Sequence, residues 1–274
     1  MTIIKTFFIL VSFILTSFHS YANLLISPTR VNFDERQRVA KVIVVNNSNE
    51  AKTYRLEWQD KVALAGGGYA NLAADQESSA SLKNMVRISP SQVRLAPGER
   101  QIVKLAIRKP KGLLEQEYRS HLAFKALPNE TQIQQQRLGI NLKLLLSYTI
   151  PVILRKGAEI PNVNISNLQL IHSPEKKALE IEIKREGGFS SFGKLEVFFK
   201  QKGMDTEKKI SMLNDFSIYP ELKTTTATIP IFVDQNIPKD GEIRVIYTGL
   251  KEYRDTIFSE KVAPINNAII GNLK

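Results

Sequence analysis

Residues 138–146 read Leu138-Gly-Ile-Asn-Leu-Lys-Leu-Leu-Leu146, and this stretch decides the fold. Its even-numbered positions are all apolar: Leu138, Ile140, Leu142, Leu144 and Leu146. Alternation at period two predicts a β-strand with one apolar face, about 30 Å long at roughly 3.3 Å per residue. Such a face either fills the protein's own core or is offered to another chain.

The region that precedes this strand also has strand and turn patterns. Turns are predicted at Asn46–Asn49 and at Ala96-Pro-Gly-Glu99, and Gly66–Gly68 indicates a plain loop. Between the turns, the extended segments cover 24–33, 40–45, 53–58, 85–89, 91–95, 101–107 and 118–126. With the strand at 138–146, this spacing predicts an immunoglobulin-like β-sandwich.

A second series of strands follows a predicted bend at Arg155–Asn162. Its extended segments cover 163–171, 178–184, 194–200, 208–213, 224–233 and 242–247. The predicted fold class is therefore all-β, with two immunoglobulin-like β-sandwich domains. We assign 23–155 to the N-terminal domain and 156–274 to the smaller C-terminal domain, whose tail from Pro264 is expected to be loosely ordered.

The first 22 residues have the pattern of a secretory signal peptide. Lys5 supplies the positive charge, residues 6–18 are mostly apolar, and Ser20-Tyr21-Ala22 is a small-x-small cleavage site. The alternative is an uncleaved anchor, but the apolar run is short for spanning a bilayer. We expect an exported mature chain that does not insert into a membrane.

Composition narrows the function classes. The chain contains no cysteine, which excludes disulfides, thiolate catalysis and cysteine-ligated metals. Residues 23–155 hold 20 lysines and arginines against 11 acidic residues, whereas the remainder is nearly balanced. An anionic partner such as nucleic acid is one explanation, but the charges form no run and match no nucleic-acid motif. Solvated strand faces are the simpler explanation.

Catalytic chemistry has little support in the sequence. The expected mature chain has two histidines, His121 and His172, which are far apart in sequence, and His121 alternates within a strand as a packed residue would. No Gly-rich phosphate loop leads from a strand into a helix, and no spacing suggests a metal site. We expect no enzyme activity, no cofactor and no metal.

Four motifs and their order resemble the chaperones of the chaperone–usher pathway, which assemble fimbriae, and in particular their archaic or alternative branch. The motifs are Ser27-Pro-Thr-Arg-Val-Asn-Phe33, Arg94-Leu-Ala-Pro-Gly-Glu99, Tyr118-Arg-Ser-His-Leu122 and Ile150-Pro-Val-Ile-Leu-Arg155. The resemblance implies a periplasmic protein with its two domains arranged as a boomerang. It also implies two partners, pilin subunits and an outer-membrane usher.

The resemblance implies roles for particular residues. The strand at 138–146 corresponds to the G1 strand that such chaperones donate to an incomplete subunit, so its five apolar positions would fill the subunit core. Arg30 matches the cleft arginine that binds the subunit's terminal carboxylate, and Arg155 matches an arginine at the domain junction. The expected partner lysine is missing, because Pro151 occupies its counted position. Lys156 and Lys143 are possible replacements, and we take Lys156 with Arg30 as the anchor.

Other functions remain open from the residues alone. An exported structural or adhesive β-sandwich, such as a pilin-like subunit, would carry a polymerising strand at its N-terminus. A hydrolase or sugar-binding sandwich would need a cluster of polar groups that we do not find. An apolar strand exposed without a client is an aggregation hazard. The free chaperone is therefore expected to self-associate, or to order the loop at Asn129–Arg137 and the start of the strand only on binding.

Overall fold

The computed structural model describes residues 24–73, 76, 78–128, 145–172, 177–232 and 240–265. Within these residues the protein consists of strands with one short 3-10 turn and no α-helix, which confirms the all-β prediction. Eleven strands form the N-terminal half: β1 Leu24–Ser27, β2 Val31–Phe33, β3 Val39–Asn46, β4 Lys52–Gln59, β5 Lys61–Ala63, β6 Tyr69–Asn71, β7 Val86–Ser89, β8 Gln92–Leu95, β9 Arg100–Ile107, β10 Glu117–Leu127 and β11 Tyr148–Arg155.

The first sandwich packs a four-stranded sheet, ordered β1-β3-β9-β7, against a five-stranded sheet, ordered β2-β11-β10-β4-β8. Its core is one cluster that draws on residues 24–154. The burial alternates along the strands, so that Val42 and Val44 of β3 pack inside while Lys41 faces outward. Period-two patterning therefore places every second residue in the core.

The predicted first extended segment, 24–33, is split in two by Pro28. β1 pairs with β3 in one sheet, whereas β2 pairs in parallel with β11 in the other sheet. Proline has no N–H to donate to a ladder, so the chain can leave the first sheet at this point. The crossing places Arg30 between the two strands, on the side that faces the second domain.

The second sandwich has seven described strands: β12 Asn162–His172, β13 Lys177–Glu186, β14 Ser191–Gln201, β15 Glu207–Ile218, β16 Thr224–Pro230, β17 Gly241–Gly249 and β18 Ile257–Pro264. One sheet is ordered β12-β13-β16 and the other is ordered β15-β14-β17-β18. The 3-10 turn covers Lys251–Tyr253 and connects β17 with β18. The core of this sandwich is a separate cluster of residues between Val163 and Ile265.

Two features differ from the predicted strands. The glycines at 66–68 form the turn of a hairpin between β5 and β6, and Gly67 and Gly68 have φ of 94° and 80°, which glycine adopts without strain. This hairpin also contacts the second domain, because Ala65 O accepts hydrogen bonds from Thr226 N at 2.9 Å and Thr225 Oγ1 at 2.8 Å. β18 was not predicted, because apolar and polar residues do not alternate cleanly along its sequence, Ile257-Phe-Ser-Glu-Lys-Val-Ala-Pro264.

Candidate subunit-binding edge and interdomain cleft

The apolar stripe at 138–146 precedes β11 in the sequence. Leu138, Ile140, Leu142 and Leu144 fall outside the described residues. Leu146 lies within them, just before β11, and 42% of it is exposed. Residues 145–147 are not in a strand, and pairing begins at Tyr148.

The stripe positions and the inward residues of β11 are all even-numbered. The inward residues of β11 are Ile150, Val152 and Leu154, all at most 4% exposed. They are even-numbered, as are the five stripe positions, and Tyr148 also packs against this core. If the strand continues toward its N-terminus without a bulge, period two keeps the stripe on the same face as the core.

The neighbouring strand β10 extends past the start of β11. The last described pair is Phe124 with Tyr148, but β10 continues to Leu127 and stays paired with β4 on its other side. The same register would place Leu146 opposite Ala126. Three residues of β10 therefore present an edge with no described β11 partner, which is a template for further pairing.

A cleft of about 1090 Å³ separates the two sandwiches. It is lined by the segment around β2, by the linker after β11 and by the 3-10 turn of the second domain. Four basic and four acidic side chains line it: Arg30, Arg36, Arg155, Lys251, Asp34, Glu35, Glu159 and Glu252. A cleft with both signs of charge can hold an anion only where a cation is not already neutralised.

Arg30 is buried in this cleft, with 5% of the residue exposed. Its guanidinium donates to Ser217 Oγ at 2.9 Å, to Ser190 Oγ at 3.3 Å and to Asn32 Oδ1 at 3.1 Å. Glu252 Oε1 lies 3.6 Å from Nη2. Both hydroxyls and the carboxylate belong to the second domain, so Arg30 joins the two sandwiches.

Arg155 lies at the same junction. Its guanidinium carbon is 4.7 Å from the ring centroids of both Phe189 and Tyr253, and its Nη2 donates to Glu159 O at 3.0 Å. Its buried Nε has no hydrogen-bond partner among the described residues. These contacts cross from β11 to the second domain, where the sequence places a junction arginine.

The structure describes one of the two candidate lysines, and that lysine lies outside the cleft. The Lys156 ammonium donates to the carbonyl of Leu113 and is not among the side chains that line the cleft. Lys143 falls outside the described residues. The roles of Arg30 and Lys156 as a carboxylate anchor remain predictions.

Lys251 is a cleft cation that sequence reasoning missed. Its Nζ lies 5.3 Å from the centroid of the Phe192 ring, and the guanidinium carbon of Arg30 lies 4.6 Å from the same centroid. Lys251 forms no ion pair with the described residues, unlike Arg30. Its φ of 54° is uncommon for a lysine. The residue comes from the second domain, far from every motif of the first, so no sequence pattern connected it with Arg30.

A second contact between the domains is electrostatic. Arg119 of β10 donates to both oxygens of Glu221, and Glu221 Oε1 also accepts from Ala63 N at 3.0 Å. Burial alone would raise the pKa of Glu221, but the bonds and charge of Arg119 lower it overall. Burial likewise opposes the Arg119 charge, and Glu221 raises the pKa of Arg119 nonetheless. The pair is charged at neutral pH.

His121 packs against this junction and has no described polar partner. It is 1% exposed, neither ring nitrogen forms a hydrogen bond, and its ring lies 4.7 Å from that of Tyr69. Burial, followed by the charges of Arg119 and Lys61, lowers the pKa of His121 to about 3. An imidazole held neutral without a partner is a packing group. No cluster of potential metal ligands occurs among the described residues.

Residues 23–156 match the family model for the pili and flagellar-assembly chaperone, PapD N-terminal domain. The match covers 134 of the 274 residues, so this part of the chain is an N-terminal domain of the pilus-assembly chaperone type. This match confirms the family that the four motifs indicate. The family consists of chaperones, a non-enzymatic kind of protein.

Solved structures of similar proteins include pilus chaperones. The YadV chaperone is 14% identical over 88% of this chain and 99% of its own, with a TM-score of 0.43. The CsuC–CsuE chaperone–tip adhesion subunit complex of Acinetobacter baumannii matches with 12% identity and a TM-score of 0.45, over 88% of this chain and 97% of its own. The Salmonella enterica SafA pilin–SafB chaperone complex matches with 14% identity and a TM-score of 0.45, over 89% of this chain and 97% of its own. No curated protein matches the sequence. Among the described residues, no helix has the length and apolarity that crossing a membrane requires.

Proposed function

We propose that this chain is a periplasmic chaperone that captures pilin subunits by lending them the strand at 138–146 and delivers them to an outer-membrane usher. The observation that carries the proposal is that the stripe positions and the core residues of β11 belong to one even-numbered series, which period two would keep on one face of a continuous strand. A strand that is half built into its own sandwich and continues in the same phase can present aligned apolar side chains to a second sandwich.

The edge of β10 supports this use of the strand. A partner that lacks a strand gains main-chain hydrogen bonds from the added strand and fills its pockets with every second side chain. Each leucine or isoleucine buried in this way contributes about 1.5–3 kcal/mol before the ordering costs. Burial of the five stripe residues is therefore the main favourable contribution that we propose for capture.

We place the carboxylate anchor at Arg30 with Lys251, in place of Lys156. Arg30 already donates hydrogen bonds to neighbouring hydroxyl and amide oxygens. A subunit carboxylate would therefore replace Glu252, the one acid among the described residues that forms an ion pair with Arg30. Lys251 shares the Phe192 ring with Arg30 and has no described carboxylate partner of its own. A carboxylate between them would receive two charge-assisted contacts.

The alternative of a pilin-like subunit has less support. Such a subunit would leave its N-terminal segment free for a neighbour, whereas residues Leu24–Ser27 pair with β3 inside this protein's own sheet. Periplasmic location is proposed from the predicted signal peptide and from the family.

The experiment compares Leu142→Glu with Lys143→Glu, which lies on the opposite face of the same strand. Each variant is co-expressed with a tagged pilin subunit, and the chaperone that co-purifies is quantified. We expect Leu142→Glu to abolish capture and Lys143→Glu to retain it, with both chaperones folded by circular dichroism. Equal capture by the two variants would refute strand donation, and unfolding of Leu142→Glu alone would assign the stripe to the protein's own core.

A further inference from the structure

The outward face of the β1-β3-β9-β7 sheet carries cations and apolar residues but no acid. We call it the basic face. Its outward positions are Leu25, Ser27, Val39, Lys41, Ile43, Val45, Arg87, Ser89, Arg100, Ile102, Lys104 and Ala106. The four basic side chains form no ion pair with any described residue.

The other outward sheet faces carry acids as well as cations, and several of these charges are paired. Arg55 and Arg94, on the opposite sheet of the first domain, form no ion pair with a described residue. On the second domain, Arg244 pairs with Glu207 and Glu260, and Glu196 pairs with two lysines. On the opposite sheet of the first domain, Lys125 pairs with Glu57. A solvated face ordinarily mixes both signs in this way, so the basic face needs a separate explanation.

Lys41 and Lys104 show that this arrangement lowers the stability of the sheet. They are direct cross-strand partners in the pairing of β3 with β9. Like charges directly opposite each other destabilise a sheet, and an acid at either position would remove the repulsion. A face that retains such a pair, against its own stability, is typical of a binding surface.

The apolar residues lie in the middle of this face. Ile43 of β3 pairs with Ile102 of β9, and Leu25 of β1 pairs with Val45 of β3. Leu25 is 57% exposed and Ile102 is 38% exposed. An apolar centre beside a charged border is the usual layout of a protein–protein interface.

We infer that the basic face is a docking surface for an acidic protein surface, distinct from the subunit-binding edge on the opposite sheet. Charge complementarity selects an anionic partner, and the anions that a protein surface offers to these four cations are carboxylates. A lipid surface fits less well. The described face has no tryptophan or tyrosine to enter an interface, and its aliphatic side chains are held on a sheet rather than on a protruding loop or amphipathic helix.

The test uses a fluorescent peptide in which glutamate alternates with valine, and vesicles of phosphatidylglycerol with phosphatidylethanolamine. Binding of each to the mature protein is measured by anisotropy or sedimentation. The double variant Lys41→Glu with Lys104→Glu is compared with Arg55→Glu with Arg94→Glu, which makes the same charge change on the other sheet. We expect at least about tenfold weaker peptide binding in the first and a change within about twofold in the second.

Three further measurements complete the test. Ile102→Ser should also weaken peptide binding, since a purely ionic attraction would not depend on it. Lys41→Glu alone should raise the urea midpoint, which separates lost docking from lost folding. Pilin capture should be unchanged in the Lys41→Glu, Lys104→Glu variant. Equal losses in the two double variants, tighter binding to the vesicles than to the peptide, or a lower urea midpoint for Lys41→Glu would each overturn the inference.

Discussion

Arg119 and Glu221 form an ion pair that joins strand β10 of the first sandwich to the second sandwich. The Arg119 side chain is 10% exposed and that of Glu221 is 31% exposed. The same strand β10 pairs with β11, which directly follows the segment proposed to bind subunits. The pair therefore connects the arrangement of the two domains to the strand that precedes the candidate binding segment.

Arg119→Leu should destabilise the protein by about 2 kcal/mol, because it leaves the Glu221 carboxylate with the Ala63 N–H but without its cation. Urea unfolding followed by Trp58 fluorescence measures the change. The control is Arg55→Leu, because Arg55 faces outward on β4 and forms no ion pair with a described residue. This substitution should change stability by less than about 0.5 kcal/mol. Equal effects would show that Arg119–Glu221 contributes nothing beyond an ordinary surface arginine.

The neutral His121 should make stability depend on acid pH. Burial lowers its pKa to about 3 in the folded protein, against about 6.5 for an unperturbed histidine. The unfolded chain therefore takes up a proton first as pH falls below 6.5, and each further pH unit down to about 3 removes up to about 1.4 kcal/mol. His121→Leu should flatten this part of the stability–pH curve, measured by urea midpoints between pH 7 and pH 4. An unchanged slope would mean that other groups cause it.

The sequence predicted the fold more completely than the cleft. Strands such as β3 and β9 follow from alternation alone, because one face of each packs in a core. The hairpin at β5 and β6 was missed, since its strands have three residues each and its burial depends on the second domain. The position of Arg30 in a motif indicated the cleft, but its partners Ser190, Ser217 and Glu252 come from distant parts of the chain that no local pattern connects.

Lys251→Ala and Arg30→Ala should separate binding from stability. Lys251 is exposed and has no ion pair among the described residues, so its loss should weaken subunit binding about tenfold or more and change the melting temperature little. Arg30→Ala should reduce both, because it leaves Ser190, Ser217 and Glu252 without their shared donor. Affinity is measured with a purified subunit and with the same subunit carrying a C-terminal amide.

Lys156→Ala is the matched control for this comparison. Its ammonium bonds to Leu113 O rather than facing the cleft, so we expect normal subunit affinity. If Lys156→Ala loses affinity for the free carboxylate while Lys251→Ala does not, the original pairing of Arg30 with Lys156 is correct and Lys251 is not part of the anchor.

The phase of the stripe gives the sharpest prediction. Ser147 lies between Leu146 and the first paired residue, Tyr148, and is not itself in a strand. Inserting one serine after Ser147 shifts residues 138–146 by one position relative to β11, which turns every stripe side chain to the opposite face. Inserting two serines restores the phase at the cost of a slightly longer connection. Strand β11 keeps its own sequence in both variants, so each should fold with a urea midpoint close to that of the unaltered protein. Pilin capture should be lost with one serine and largely recovered with two. Capture that falls steadily with the length of the insertion, without recovery, would show that the distance from β11 matters and the phase does not.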